Sequence, residues 1–180
     1  SHTDHRRLLL PFFTPKATAE WEPTIRQICS GLLEDLSGEA EFDVAAKYAQ
    51  EIPGDVTARM LGVPLEDTPQ FRSWLHDLLE VGPTDPDVAR ETTNEMMTYL
   101  LALTSERRAD KNDGDMVQYL IDQRVHDVGL TDDEIARTLF LLLIAGVDTT
   151  WSALGFSLLH LATHQELSLI HISEPTRRLI

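Results

Sequence analysis

Residues 131–164 have the sequence TDDEIARTLFLLLIAGVDTTWSALGFSLLHLATH, and this stretch decides the fold. Thr131 and Glu134 have the spacing of a capping box, which predicts that a helix begins there. The segment from Leu139 to Val147 is unbroken apolar sequence. It is too short to span a bilayer, which takes about 20 apolar residues. We therefore expect a long central helix over about 131–165, buried in the core of a soluble domain.

Asp148, Thr149 and Thr150 interrupt the apolar pattern in the middle of this helix. A carboxylate in an apolar core is costly unless it is paired, and Gly146 costs a further ~1 kcal/mol relative to alanine. Such broken local rules are expected at functional sites. Ala145, Asp148 and Thr149 share one helix face, with Gly146 and Thr150 on the adjoining stripe. This pattern predicts a surface open to a broad, flat ligand beside a proton-delivering hydroxyl and carboxylate.

The sequence AGVDTT at 145–150 resembles the oxygen-activation motif, Ala/Gly-Gly-x-Asp/Glu-Thr-Thr/Ser, of the cytochrome P-450 haem-thiolate monooxygenases. The resemblance implies that Ala145 and Gly146 lie against the haem. It also implies that Thr149 hydrogen-bonds the oxygen being activated and that Asp148 passes protons towards it. The alternative is an ordinary core helix whose threonine hydroxyls bond back to carbonyl groups one turn earlier.

Two further segments carry the same resemblance. Residues 2–15, HTDHRRLLLPFFTP, are similar to the family's H-T-x-x-R-R-L…F-T-P segment. The resemblance implies that His2 and Arg6 hold the haem propionates, and that His5 and Arg7 face an acidic electron donor. The alternative is a solvated basic turn. Residues 42–64, FDVAAKYAQEIPGDVTARMLGVP, resemble a structural region of the family, and we assign no chemistry to them.

Composition limits the class of protein. The 180 residues can form one core, and the net charge of −15 argues against nucleic acid or an anionic membrane as the main partner. Cys29 is the single cysteine, so no disulfide framework is expected. No signal peptide is visible, which suggests a cytoplasmic protein. Helical periodicity recurs and strand alternation is scarce, so we expect a mainly α protein with a partial cytochrome P-450 fold.

The other expected helices follow from apolar spacing and from turn residues. They are Pro15–Leu36, residues 42–64 with a break at Pro53 and a stop at Gly62, residues 65–81 and 88–107, and Asp115–Val125. The loop GPTDPD separates residues 65–81 from residues 88–107. In the family, that helix pair forms the lid over the substrate pocket. Phe71, Trp74 and Leu78 recur at helical spacing, which is more typical of core residues than of pocket residues.

The resemblance extends from His2 to about Glu166. We expect residues 1–166 to form a partial cytochrome P-450 domain, and residues 167–180, LSLIHISEPTRRLI, to be a non-native tail. Cys29 lacks the glycine-rich loop that precedes the family's haem-ligating cysteine. The proximal ligand is therefore expected to be absent from these residues, and no metal ligand is assigned. A carbon-monoxide difference spectrum of the polypeptide expressed as given should show no thiolate band, and turnover should be absent.

The resemblance implies a parent enzyme that hydroxylates or otherwise oxidises a small organic molecule. It would use O₂, haem and electrons from NAD(P)H, delivered through a reductase and a ferredoxin-type partner. A non-catalytic, acidic α-helical binding module is the alternative function. Saturable haem binding separates the two possibilities, since a scaffold would show none.

Overall fold

The computed structural model describes residues 2–111 and 114–167, and the side chains of His2 and His5 lie outside that description. In the described part the chain is mainly helical, as predicted. The helices are α1 His2–Leu9, α2 Pro15–Glu20, α3 Glu22–Leu36, α4 Glu51–Leu61, α5 Thr68–His76, α6 Pro86–Ala109, α7 Met116–Asp122 and α8 Asp132–Thr163. Short 3-10 turns span Leu10–Phe13 and Leu65–Asp67, and π-helical turns span Ala45–Ala49 and Asp77–Val81.

Helix α8 begins at the predicted capping box. The Thr131 hydroxyl accepts a hydrogen bond from the Glu134 amide at 3.2 Å, and the Glu134 carboxylate accepts one from the Thr131 amide at 2.9 Å. These two bonds satisfy amide groups that have no partner inside the helix. The helix then continues without a break to Thr163. The prediction of a long central helix is confirmed.

One face of α8 forms the centre of the core. It packs against α4, α5, α6 and α7 and against the π-helical turn Ala45–Ala49. The buried residues of α8 recur every three or four positions, as one helix face requires, and they are Ile135, Ala136, Leu139, Leu143 and Val147. Facing them are fully buried residues of the other helices, including Leu61, Phe71, Met96, Leu100 and Leu120. Burying one such side chain stabilises the fold by about 1.5–3 kcal/mol.

The predicted helix over Pro15–Leu36 is two helices. The chain turns at Trp21, between α2 and α3. Pro23 has no amide hydrogen, so it cannot donate to the carbonyl group of Ala19, and a continuous helix would lose that bond. The expected break near Pro53 occurs a few residues earlier, at Gln50. Pro53 then stands in the first turn of α4, where its missing amide hydrogen leaves no helical bond unmade.

A small β-hairpin connects α7 to α8, and its first strand occupies the end of the helix that was predicted over Asp115–Val125. Its strands are β1 Arg124–Val125 and β2 Val128–Gly129, and they pair antiparallel with Arg124 opposite Gly129. His126 and Asp127 form the turn with φ values of 50° and 66°. Positive φ at both central residues is the geometry that closes a two-residue hairpin. Strands of this length are too short to show alternation in a sequence.

Aromatic side chains pack α5 against α6. Phe71 and Trp74 are buried, as predicted, and both contact the ring of Tyr99 from α6. The Trp74 indole donates to Glu95 at 2.9 Å, and the Tyr99 hydroxyl donates to Asp67 at 2.7 Å. Burial and this bond to Asp67 raise the pKa of Tyr99 above its ordinary value. These contacts join α5 firmly to α6.

By length and composition, α8 could also cross a membrane. The sequence interpretation considered only the run Leu139–Val147, whereas the full helix of 32 residues meets the length requirement. Core helices of soluble proteins meet the same requirement, so the finding does not by itself assign a membrane. Only 22% of the apolar stretch of α8 is buried, so one apolar face of the helix is uncovered.

Candidate functional site

The uncovered face of α8 carries the residues that the sequence singled out. Ala145 and Thr149 are both exposed, one helical turn apart. Leu141 precedes them by one turn and is 60% exposed, and Phe156 follows on the same face and is 74% exposed. Two large apolar side chains therefore flank Ala145, whose own side chain is only a methyl group. A flat apolar group fits this face, because no packed side chain covers it.

Thr149 uses its hydroxyl hydrogen within the helix. Its Oγ1 donates to the carbonyl oxygen of Ala145 at 2.7 Å. The back-bonded arrangement that was the alternative interpretation is thus present. This bond orients the hydroxyl towards the exposed face and leaves its oxygen lone pairs able to accept a hydrogen bond. Back-bonding and a role in binding are therefore compatible at this residue.

Asp148 lies between the buried and the exposed faces of α8. It is half-buried, and its carboxylate has no hydrogen-bond or ion-pair partner among residues 2–111 and 114–167. Other carboxylates of this helix are engaged; for example, Asp133 accepts from Arg137 at 2.7 Å. A partly desolvated carboxylate without a partner is energetically unfavourable unless a ligand or solvent completes it. Asp148 is therefore the residue next to Thr149 whose carboxylate is open to a ligand or to solvent.

Gly146 faces a different neighbour from Ala145 and Thr149. It is half-buried, and a Cβ atom added there would lie 3.3 Å from Oγ1 of Thr57 on α4. The absent side chain thus points towards the flanking helix. The contact of Gly146 with the haem remains a prediction, whereas its contact with α4 is present in the structure.

Helix α1, which carries the basic residues, is attached to α7 and to the turn of the hairpin. The Tyr119 hydroxyl donates to the carbonyl oxygen of Leu8 at 3.1 Å, and His126 lies 3.6 Å from Asp4. Arg6 is exposed and makes no ion pair within the described part of the chain, so its guanidinium is available to an anionic group. The side chain of His2 lies outside the described residues, so its predicted role stays a prediction.

Cys29 lies inside α3 rather than on a loop. It is half-buried and contacts Tyr48, whose pKa is raised by burial and by the hydrogen bond with the Cys29 thiol. A cysteine packed in this way suits the interpretation of a small buried side chain. Among the described residues, no group of three or more His, Cys, Asp or Glu side chains is arranged to hold a metal ion.

Comparison with known proteins identifies the architecture. The family model described as "Cytochrome P450" matches residues 1–168. The chain belongs to the cytochrome P-450 family. It is 28% identical over 165 residues to the polyketide-biosynthesis cytochrome P-450 PksS of Bacillus subtilis (strain 168), which covers 92% of this chain. It is 36% identical over 160 residues to the erythromycin C-12 hydroxylase of Saccharopolyspora erythraea, which covers 86% of this chain.

Solved structures of cytochromes P-450 share the fold. The PksS structure superposes with a TM-score of 0.88 and 28% identity over 97% of this chain. BioI, solved in complex with a fatty-acid-ligated acyl carrier protein, superposes with a TM-score of 0.86 and 28% identity, also over 97% of the chain. The chain covers 40% of PksS and of the hydroxylase, and 45–46% of the two solved chains. It therefore corresponds to less than half the length of these cytochromes P-450.

Sequence reasoning missed two contacts of this cytochrome P-450 chain. The first is Thr57 against Gly146, which joins α4 to α8. The second is a buried ion pair between Arg107 and Asp115, whose side chains are 10% and 9% exposed. Asp115 also caps α7, since its carboxylate accepts from the Gln118 amide at 2.8 Å. Both contacts join different helices, so local spacing gives no signal for them.

Proposed function

We propose that this chain is the oxygen-activating part of a haem-dependent monooxygenase that oxidises a small organic molecule. The observation that carries the proposal is the open face of α8, where the exposed Ala145 and Thr149 lie beside an unpartnered Asp148. The proposed enzyme is cytoplasmic and uses O₂ and NAD(P)H-derived electrons through a reductase and a ferredoxin-type partner. Residues 1–166 would form this part, and residues 167–180 would be a non-native tail; residues 168–180 lie outside the described residues.

Haem would supply the iron at which O₂ is activated and electrons are received. Ala145, Gly146 and Thr149 would hold one face of the macrocycle, and His2 and Arg6 would bind its propionates. Arg6 suits this role because a guanidinium matches a carboxylate with two parallel hydrogen bonds. The names of the relatives support an organic substrate: one acts in polyketide biosynthesis and another is an erythromycin hydroxylase.

The residues of this chain would perform four tasks. Ala145 gives the cofactor close access to the backbone of α8. Thr149 places a hydroxyl oxygen at the reacting centre, where it accepts a hydrogen bond while its own hydrogen stays on the Ala145 carbonyl. Asp148 carries a proton on its carboxylate between solvent and that hydroxyl. Leu141 and Phe156, on the same face, exclude water from the reaction.

Haem binding tests the proposal directly. In the enzyme that contains this chain, Ala145→Trp should lower haem affinity at least tenfold, about 1.4 kcal/mol, because an indole would occupy the surface meant for the macrocycle. The measurement is haem content from the ratio of Soret to protein absorbance. Ala102→Trp is the matched control, since Ala102 is exposed on a different helix, α6. Equal haem content in the two variants would contradict the proposed orientation of α8.

Thr149→Ala should separate oxygen consumption from product formation. Without the hydroxyl, the proton has no defined path, so most of the O₂ consumed should be released as hydrogen peroxide. NAD(P)H oxidation should stay within about threefold of wild type, since electron delivery does not depend on this proton transfer. Product and peroxide are measured per NAD(P)H consumed. Thr150→Ala, at the exposed neighbouring position, should leave the ratio unchanged; equal uncoupling in both variants would remove the special role of Thr149.

A further inference from the structure

Thr57, on α4, does not use its hydroxyl within its own helix. The residue is only 4% exposed, and no hydrogen bond joins its Oγ1 to another described group, although this oxygen is not fully enclosed. Threonines in helices commonly bond back to a carbonyl group. Thr68, Thr93 and Thr104 do so in this chain. Thr57 instead directs its side chain at the neighbouring helix.

The neighbour is the glycine that precedes the proposed proton relay. A Cβ atom at position 146 would lie 3.3 Å from Thr57 Oγ1 and 4.0 Å from Thr57 Cγ2. The shorter distance is tighter than ordinary van der Waals contact, so alanine at 146 would push against the hydroxyl oxygen. By contrast, a Cβ atom at Gly155, further along α8, meets nothing within 4 Å. The close approach is therefore specific to position 146.

The contact lies next to the two residues of the proposed proton relay. Asp148 and Thr149 follow Gly146 within one helical turn, so the depth to which Gly146 seats against α4 fixes where both side chains stand. The adjoining Val147 is buried in the core and prevents the turn from rotating away. Thr57 never reaches the open face itself, because it lies on α4 behind the helix.

We propose that Thr57 is a positioning residue, whose hydroxyl oxygen seats against Gly146 and fixes the turn of α8 that carries Asp148 and Thr149. The inference rests on the proposed function, because the positioned groups are those of the proposed proton relay. It gives Gly146 a role that the sequence did not suggest. The missing side chain allows α4 to approach α8 closely, in addition to the access that it would give a macrocycle.

Hydrogen–deuterium exchange of the amides at 141–150, in the haem-loaded enzyme, measures the state of this turn. Alanine is a better helix former than glycine, so Gly155→Ala should slow local exchange or leave it unchanged. Gly146→Ala should instead make exchange at 141–150 at least threefold faster, because the added methyl group forces α8 away from α4. It should also raise the fraction of O₂ released as peroxide at least twofold.

Thr57 variants in the Gly146→Ala background identify the responsible atom. Thr57→Ala removes Oγ1 and should return both exchange and peroxide release to within about twofold of wild type. Thr57→Ser keeps the near atom, Oγ1, and should not restore either quantity. The serine variant controls for general loosening of α4, since it removes only the more distant methyl group.

The proposal is supported if Gly146→Ala gives faster exchange and more peroxide, and if Thr57→Ala but not Thr57→Ser restores both quantities. It is overturned if Gly146→Ala behaves like Gly155→Ala, or if serine restores as well as alanine does. Altered exchange with unchanged peroxide release also overturns it, because Thr57 would then have a packing role alone; Thr149→Ala tests the proposed function separately. An enzyme that takes up no haem overturns the proposed function and this inference together, and exchange at 141–150 in the haem-free protein then reports on the contact by itself.

Discussion

Asp148→Asn should lower the turnover of the haem-loaded enzyme about 100-fold, the lower end of the contribution expected from a positioned acid–base group. Asparagine has nearly the same shape as aspartate, so α8 and haem binding should be unaffected. It cannot carry a proton on its side chain at neutral pH, so each proton must arrive by a slower route through water. Product formation under saturating substrate and reductant is the measurement, and a larger solvent deuterium isotope effect should accompany the decrease.

Asp133→Asn is the control for this prediction. It makes the same change on the same helix, but Asp133 is exposed and pairs with Arg137 at 2.7 Å. An exposed ion pair is largely screened by solvent, so its loss should leave turnover within about twofold. Haem content must be measured for both variants. If Asp148→Asn kept its haem and turned over as fast as Asp133→Asn, Asp148 would have no part in proton delivery.

The parts of the fold that the sequence predicted depend on signals within one segment. The capping box at Thr131 and Glu134 and the continuous apolar run after it define α8 without reference to any other helix. The stop at Gly62 is equally local, since its φ of 79° is a conformation that glycine adopts without strain. The exposure of Ala145 and Thr149 also follows from helix periodicity, once one face is assigned to the core.

The parts that the sequence missed depend on contacts between segments. Thr57 and Gly146 are far apart in the chain, and neither residue alone indicates that α4 approaches α8 so closely. The break at Trp21 was missed because the apolar spacing continues through it, and Pro23 acts on the backbone rather than on that spacing. Periodicity reports which face is buried, but not which atoms meet there.

The buried pair of Arg107 and Asp115 gives the largest expected effect on stability. Arg107 contacts the Asp115 carboxylate through Nη1 and donates to the Gly62 carbonyl oxygen through Nη2 at 3.0 Å. One guanidinium thus joins the ends of α4 and α6 to the beginning of α7. Arg107→Ala would leave the Asp115 carboxylate buried without its partner. The expected loss in the free energy of unfolding of the enzyme is about 3–5 kcal/mol, measured by urea denaturation followed by circular dichroism.

The adjacent arginine provides a matched comparison. Arg108 pairs with Asp132, but these side chains are 37% and 40% exposed, so Arg108→Ala should cost only about 1 kcal/mol.

The double variant of Arg107→Ala and Asp115→Ala should be more stable than the sum of its single variants predicts, because it leaves no buried charge unpaired. Gly62 adds a geometric constraint, because a Cβ atom there would overlap the Asp115 side chain and its φ of 79° favours glycine. Equal losses for Arg107→Ala and Arg108→Ala would show that burial does not distinguish the two pairs, and that the junction of α4, α6 and α7 is held by apolar packing instead.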